Sequence, residues 1–359
     1  MSFAIPQALL TYGWDEGLEQ EFAQYREQGL VPARVAAVDR GRCDAVTENG
    51  VVRADTAPVT TADPAAGPCT GDWAALRTRE HPALTALLPR RTAIVRSSAA
   101  RDSRGQVLAA NIDTVAITVA LAGNGRAVSL GRIERLLALA WESGARPVIV
   151  LTKADESADP AAAEAEVAQA APGVDVVSCS ALTGDGVDIV TAVLTGTVVL
   201  LGVSGAGKST LANALLGADV LATGAVRDQD GKGRHTTVRR ELLPLPAGGV
   251  LIDTPGLRGV GLFDAADGIQ QTFTDVEELA AECRFGDCAH DSEPGCAVLA
   301  AVERGELPQR RLDSYRRLLR ENEWAASRGD ARLRAERAGR YKEISRSLRQ
   351  KYKVDGKKR

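Results

Sequence analysis

The sequence predicts an α/β protein in which a central parallel sheet, sheathed in helices, is preceded by a small antiparallel β-barrel of the OB type and followed by a helical, metal-binding domain. Three observations predict it. Short β-type runs separated by Gly, Asp and Asn fill residues 30–77, strand and helix patterns alternate from about residue 94, and three cysteines with a histidine fall within fourteen positions ahead of an Arg-rich end. With 359 residues, 45% hydrophobic and 25% charged, the chain can bury a sizeable core and divides into two or three domains.

Residues 1–29 are read as an N-terminal arm. Its opening run, MSFAIPQALLTYGWDEG, has no basic flank, long apolar stretch or small-residue cleavage pattern, so a cytoplasmic location without an export signal is expected. Residues 30–90 are assigned to the barrel, whose strands are sought in VPARVAAVD, CDAVTENGVVRAD and APVTTAD. Residues 91–275 carry the sheet. There TVAITVALAG and RPVIVLTKAD flank SLGRIERLLALAWESG, in which Ile133, Leu136, Leu137 and Ala140 recur on one helical face. The uncharged stretch from Ile189 to Gly207 is long enough to resemble a membrane span, but its Thr and Gly content fits a buried parallel strand running into a glycine loop. No membrane partner is expected. Residues 276–359 form the metal-binding domain and its basic helical tail.

Gly202-x-x-x-x-Gly207-Lys208-Ser209 follows the apolar run TVVLL and precedes STLANALLG, the strand–loop–helix setting of a phosphate-binding loop. Glycine is needed because successive backbone N–H groups must curl towards phosphate oxygens at the positive end of the next helix. Gly202, Val203, Ser204, Gly205, Ala206, Gly207, Lys208, Ser209 and Thr210 are therefore candidate nucleotide contacts. Lys208 is expected on the β and γ phosphates and the Ser209 hydroxyl on Mg²⁺. By itself this loop leaves ATPase, GTPase and kinase open.

A base-reading motif decides among them. Thr152, Lys153, Ala154 and Asp155 follow the strand RPVIVL. The Asp155 carboxylate can accept two hydrogen bonds from the N1–H and exocyclic amine of guanine; adenine offers neither, a difference of about 1–3 kcal/mol. Lys153 can lay its stem along the base. Ser180 and Ala181, in CSALTG at the end of the next strand, match a turn whose N–H contacts the guanine O6. Downstream, Asp253-Thr254-Pro255-Gly256 follows GGVLI, the setting of an Asp that holds Mg²⁺ through water and a Gly that senses the γ-phosphate. Thr237, favoured over Thr236 in GRHTT, is the candidate to complete the magnesium shell. All five GTPase elements are present, in the order base, base, phosphate, switch, switch.

Cys283-x₄-Cys288-x-His290-x₅-Cys296 supplies three thiolates and an imidazole, a full tetrahedral set for Zn²⁺ that leaves no open position and so implies a structural ion. In a reducing compartment a disulfide is disfavoured, and three cysteines would leave one unpaired.

The inverted motif order, together with LPRRT at Leu88–Thr92, AANID at Ala109–Asp113, KGRHTT at Lys232–Thr237 and the Cys/His cluster, resembles the circularly permuted GTPases, specifically the ribosome small subunit-dependent GTPase family. That resemblance covers nearly the whole chain. It implies an OB barrel, a permuted GTPase domain and a zinc-binding domain carrying the same ligand order, GTP and GDP as ligands, hydrolysis stimulated by the small ribosomal subunit, and a role in late subunit maturation through rRNA binding. Two departures bear on the chemistry. Thr152 stands where Asn is commoner, and Leu257 follows DTPG where many GTPases carry a Gln that orients water. An apolar side chain cannot orient water, so hydrolysis should be slow alone, and His235 is a candidate to position the water.

Net charge is −3, yet Arg310–Arg359 holds 18 Lys and Arg against 7 Asp and Glu, a surplus of +11 that leaves −14 on the remainder. Such a tail suggests a nucleic-acid partner with salt-dependent affinity, with a solvated Arg-rich helix as the alternative. A monomer is expected. Two other readings stay open: an RNA-binding switch in which nucleotide occupancy is the signal, and an ATP-dependent enzyme, against which Asp155 argues.

Overall fold

In the computed structural model, the described residues are 7–63, 65–97, 105–121, 128–221, 240–253 and 265–329. Two short helices, α1 (Gln7–Leu10) and α2 (Glu16–Arg26), open the described chain. Asp15 caps α2 by accepting the Leu18 N–H at 2.8 Å. Leu18 and Phe22, one turn apart, are buried with Leu9 and Trp14 against Trp73, and the Trp14 and Trp73 rings meet edge-on at 4.9 Å. Residues 7–29 thus lie folded on the barrel. Their apolar residues are split between two helices, the first of only four residues.

Strands β1 (Val31–Asp39), β2 (Arg42–Thr47), β3 (Gly50–Asp55), β4 (Trp73–Arg77) and β5 (Ala83–Leu87) close a barrel in the order β1-β2-β3-β5-β4. Alternate small and branched residues fill it: Ala33, Val35, Cys43, Ala45, Ala54, Ala74, Leu76 and Leu84. A two-stranded sheet of β6 (Ala93–Ser97) and β7 (Gly105–Ala110) follows.

The α/β domain runs through β8 (Thr114–Ala120), α3 (Leu130–Glu142), β9 (Arg146–Thr152), α4 (Pro160–Ala170), β10 (Asp175–Cys179), α5 (Val187–Val193), β11 (Thr197–Leu201), α6 (Lys208–Leu216), β12 (Glu241–Pro244) and β13 (Val250–Asp253). Its sheet has the order β10-β9-β8-β11-β13-β12, parallel except for β12. Strand residues alternate between two cores. Ile117, Ile149, Leu151, Val199 and Ile252 face Ile133 and Leu137 of α3, whereas Ala116, Val148, Val150, Val198 and Leu251 face Val190 of α5 and Leu211 of α6. This two-sided burial explains the unbroken apolar runs. The uncharged stretch from residue 189 comprises the end of α5, β11 and the glycine loop, not one strand. No helix among the described residues is long and apolar enough to cross a membrane.

Arg34 of β1 joins barrel and sheet. Its guanidinium, 1% exposed, lies 4.8 Å from the Trp73 ring and donates to the carbonyls of Tyr12, Gly71 (3.2 Å) and Asn111 (2.8 Å) and to the Thr197 hydroxyl at the start of β11 (3.0 Å). Burial pulls its pKa down to about 10, opposed by the carboxylates of Asp113 and Asp72. Arg90 of LPRRT forks onto buried Asp72 at 2.6 and 2.8 Å, and Asn111 of AANID donates to the Gly71 carbonyl at 3.0 Å. Gly71 itself has φ +95°, and a Cβ there would strike the Ala110 carbonyl. Both motifs are therefore part of the joint between the two domains.

The C-terminal elements are α7 (Ala266–Thr272), α8 (Thr274–Ala280), α9 (Ala297–Glu303) and α10 (Gln309–Gly329). Arg311 of α10, buried over the Phe273 ring, binds Glu134 of α3 (2.9 Å), Asp275 (2.9 and 3.0 Å) and the carbonyls of Ala170 (3.0 Å) and Thr272 (2.7 Å). Tyr315, an aromatic of the basic segment, is buried and donates to Glu277 at 2.7 Å, a packing role.

Arg34→Met would leave several buried acceptors without a donor, and we expect it to cost at least about 3 kcal/mol. Urea unfolding followed by the fluorescence of Trp14 and Trp73 measures this, and an unchanged midpoint would refute it.

Candidate nucleotide site and metal centre

Parallel strands direct the described motif-bearing loops to one edge of the sheet. Across it, Cys179 of β10, Thr152 of β9 and Ala120 of β8 are in register, and so are Ile117 of β8 and Leu201 of β11. The base motif at 152–155, the phosphate loop at 202–209 and Asp253 are therefore neighbours in space although the base motif comes first in the chain. The strand order reverses between β8 and β11, the place where such sheets bind ligands.

In the loop, Val203, Ser204 and Gly205 are exposed, Ala206 is buried, and Gly207, Lys208 and Ser209 are half-buried. Gly207, at φ +74°, starts α6, whose first helical bond runs from the Leu211 N–H to the Gly207 carbonyl at 2.8 Å. The amides of Lys208, Ser209 and Thr210 precede that ladder. A Cβ on Gly202 would collide with the Thr118 hydroxyl and carbonyl behind the loop. Lys208 Nζ donates to the Gly202 and Val203 carbonyls, each at 2.8 Å.

On the base side, Lys153 has φ +60° and Ala154–Glu156 form a 3₁₀ turn that leaves Asp155 exposed, with Lys153 Nζ 3.4 Å from Glu156. Ser180 is buried, and its turn is closed by its N–H to the Asp185 carbonyl (2.8 Å) and the Gly184 N–H to its own carbonyl (2.9 Å), which sets half-buried Ala181 on the rim. Thr152 points elsewhere. Its hydroxyl donates to the Ala206 carbonyl of the phosphate loop at 2.8 Å.

Asp253 ends β13 half-buried, paired in register with Glu241 of β12. Burial and the Glu241 charge raise its pKa, and the Lys208 charge lowers it. Its carboxylate at the end of β13 and the Ser209 hydroxyl in the first turn of α6 are hard oxygen donors, a set suited to Mg²⁺. His235, Thr237, Gly256 and Leu257 lie outside the described residues.

The four residues expected to hold a metal converge. All their ligand atoms lie within 4.8 Å of one another, with His290 Nδ1 3.6 Å from Cys283 Sγ and 3.5 Å from Cys296 Sγ, and the two sulfurs 3.8 Å apart. Tetrahedral zinc with bonds of about 2.3 Å to sulfur and 2.0 Å to nitrogen requires about 3.8 Å between sulfurs and about 3.5 Å from sulfur to nitrogen. The donor set therefore fits zinc in identity, and Cys283, His290 and Cys296 fit it in spacing. Burial opposes the Cys283 thiolate, but the amides of Val298 and Ala297 and the neighbouring thiols outweigh it and lower its pKa. Two supporting residues escaped the sequence reading. Glu293 accepts the N–H groups of Ala289 (3.0 Å), Asp291 (2.8 Å) and Ser292 (3.0 Å), holding the loop that carries His290 at φ +58°. Thr118 donates to the Leu201 carbonyl at 2.9 Å. Neither has a spacing signature, because each acts on backbone.

The family model for the RsgA GTPase matches residues 87–263, and the small ribosomal subunit biogenesis GTPase RsgA of Streptomyces avermitilis is 60% identical over 91% of this chain and 89% of its own length. The chain belongs to the RsgA GTPase family. A Streptomyces coelicolor relative of the same description is 58% identical over 93% of this chain and 92% of its own. Among solved structures, YjeQ from Thermotoga maritima superposes with a TM-score of 0.58 at 23% identity, covering 81% of this chain and 98% of that one. YloQ, described as a circularly permuted GTPase, gives 0.58 at 22% identity over 81% of this chain and 94% of its own. Those two likenesses establish the shared fold.

If the Cys/His site is structural, the purified chain should carry about one zinc by atomic emission, and Cys288→Ser should weaken zinc retention at least about tenfold against a chelator. Equal retention by the variant would contradict that role.

Proposed function

We propose that this chain hydrolyses GTP to GDP and phosphate with Mg²⁺, is stimulated by the small ribosomal subunit, and serves the late maturation of that subunit by binding its rRNA. The observation that carries the reading is the shared edge: an acceptor for guanine at Asp155 and a phosphate loop at 202–209, delivered there by β9 and β11 on either side of β8. The names of the relatives, which place them in small-subunit biogenesis, support the ribosomal part.

The chemistry follows from the residues. Asp155 takes the N1–H and amine of guanine, with Lys153 along the ring and the turn at Ser180 and Ala181 at O6. Loop amides and Lys208 hold the phosphates, placing negative charge where it grows as the γ-phosphoryl group departs. Magnesium, when bound, neutralises the β and γ oxygens, and Ser209 and Asp253 would hold it together with Thr237. Gly256 would sense the γ-phosphate. With Leu257 where a water-orienting group often stands, turnover alone should be slow, and His235 is proposed to position the attacking water. Zinc, held by Cys283, Cys288, His290 and Cys296, would have a structural role. The basic segment from Arg310 and the barrel would supply the rRNA-binding surface. A cytoplasmic monomer fits this work.

Leu257 also favours a second reading, a switch in which nucleotide occupancy is the output. Steady-state hydrolysis of GTP and ATP with and without purified small subunits separates them: the enzyme reading expects strong stimulation with GTP only, and no stimulation would leave the switch. In the same assay Asp155→Asn should lower guanine preference about ten- to hundredfold, and His235→Ala at an unchanged stimulated rate would remove His235 from the mechanism.

A further inference from the structure

A loop that aims its amides at phosphate turns its carbonyls away, and each buried carbonyl there needs a donor. The Val203 carbonyl accepts the Ala206 N–H at 3.2 Å, and side chains supply the other donors. Thr118 serves Leu201, Lys208 serves Gly202 and Val203, and Thr152 serves Ala206. Thr152 differs from the other two in its position, because it ends the strand that continues directly into the base-reading turn at 153–156.

Its side chain is 2% exposed, and its hydroxyl has a single proton. The hydroxyl oxygen lies 2.8 Å from one acceptor, the Ala206 oxygen, and the Val119 carbonyl at 3.4 Å is a weaker second one. Both acceptors are backbone groups, so the hydroxyl has no proton to offer a base. The bond has a geometric consequence. In a planar trans peptide the C=O and the following N–H point in opposite directions, so holding the Ala206 carbonyl back turns the Gly207 N–H forward. Gly207 also closes on this threonine, since a Cβ there would sit 3.1 Å from the Thr152 hydroxyl.

We propose that Thr152 is a positioning residue for the phosphate loop and not a reader of the base, so that purine selection falls to Asp155 while Thr152 sets how tightly any purine nucleotide is held. The inference rests on the proposed nucleotide site and refines it. Base strand and phosphate loop are thereby coupled through one hydroxyl.

The test is calorimetric titration of the full chain with GDP and with IDP, which lacks the exocyclic amine, for the wild type, Thr152→Val, Thr152→Ser and Asp155→Asn. Thr152→Val should weaken both nucleotides about tenfold and leave their ratio unchanged, because a buried carbonyl loses its donor. Thr152→Ser, which keeps the hydroxyl, should bind within about twofold of wild type. If the valine variant does not fold, Thr152→Ala takes its place with the same expectation. A GDP-to-IDP ratio altered by the valine or alanine variant, wild-type affinity in that variant, or a serine variant as weak as it would each overturn the proposal. Asp155→Asn should collapse the ratio; a ratio it leaves unmoved refutes the base site itself, whatever the threonine variants do.

Discussion

The proposed nucleotide site depends on the direction in which one short piece of backbone faces. Amides can serve as phosphate ligands only if the carbonyls of the same peptides are satisfied on the opposite side, and here such donors come from Thr118 of β8 and Thr152 of β9. The loop is thus held from behind by the two strands beside it. Glycine is required at 202 for the same reason, because the loop enters hard against Thr118. Neither the loop nor the strands would serve separately: β11 alone delivers the chain to the edge, but its neighbours decide how the peptides turn once there.

Permutation of the chain leaves this arrangement untouched, since a sheet's chemistry depends on which strands are adjacent and not on the order in which they are made. What changes is the attachment. After β13 the chain continues through residues 254–264 into α7 and the metal-binding elements, so the segment after Asp253 leads towards the C-terminal domain. Arg311 ties that domain back to α3 and to the end of α4. On the other side Arg34 fastens the barrel to the start of β11, the strand whose far end carries the phosphate loop. Both flanking domains therefore grip the α/β domain through buried arginines that each hold several partners.

Much of this was legible in the residues. Apolar runs of strand length, glycine spacing and the Cys/His spacing reflect strong local constraints, and they located the sheet, the glycine loop at its edge and the Cys/His set, whose side chains do come together in space. The packing of residues 7–29 was not legible, because its stabilising contacts are with Trp73, far along the chain. For the same reason LPRRT and AANID could be recognised as motifs but not as the joint between barrel and sheet. Thr152 could be seen as a departure from the commoner asparagine, but the direction of its hydroxyl depends on a neighbour more than fifty residues away. Residues whose partners are backbone groups, such as Thr118 and Glu293, have no sequence pattern to give them away.

A crystal structure with GDP and Mg²⁺ bound tests the central claim most directly, namely that base and phosphates occupy one crevice built from chain-distant strand ends. The account predicts guanine with its N1–H and amine on the Asp155 carboxylate, and the β-phosphate on the loop amides beside Lys208. A purine seated away from Asp155 while the phosphates occupy the loop would contradict it.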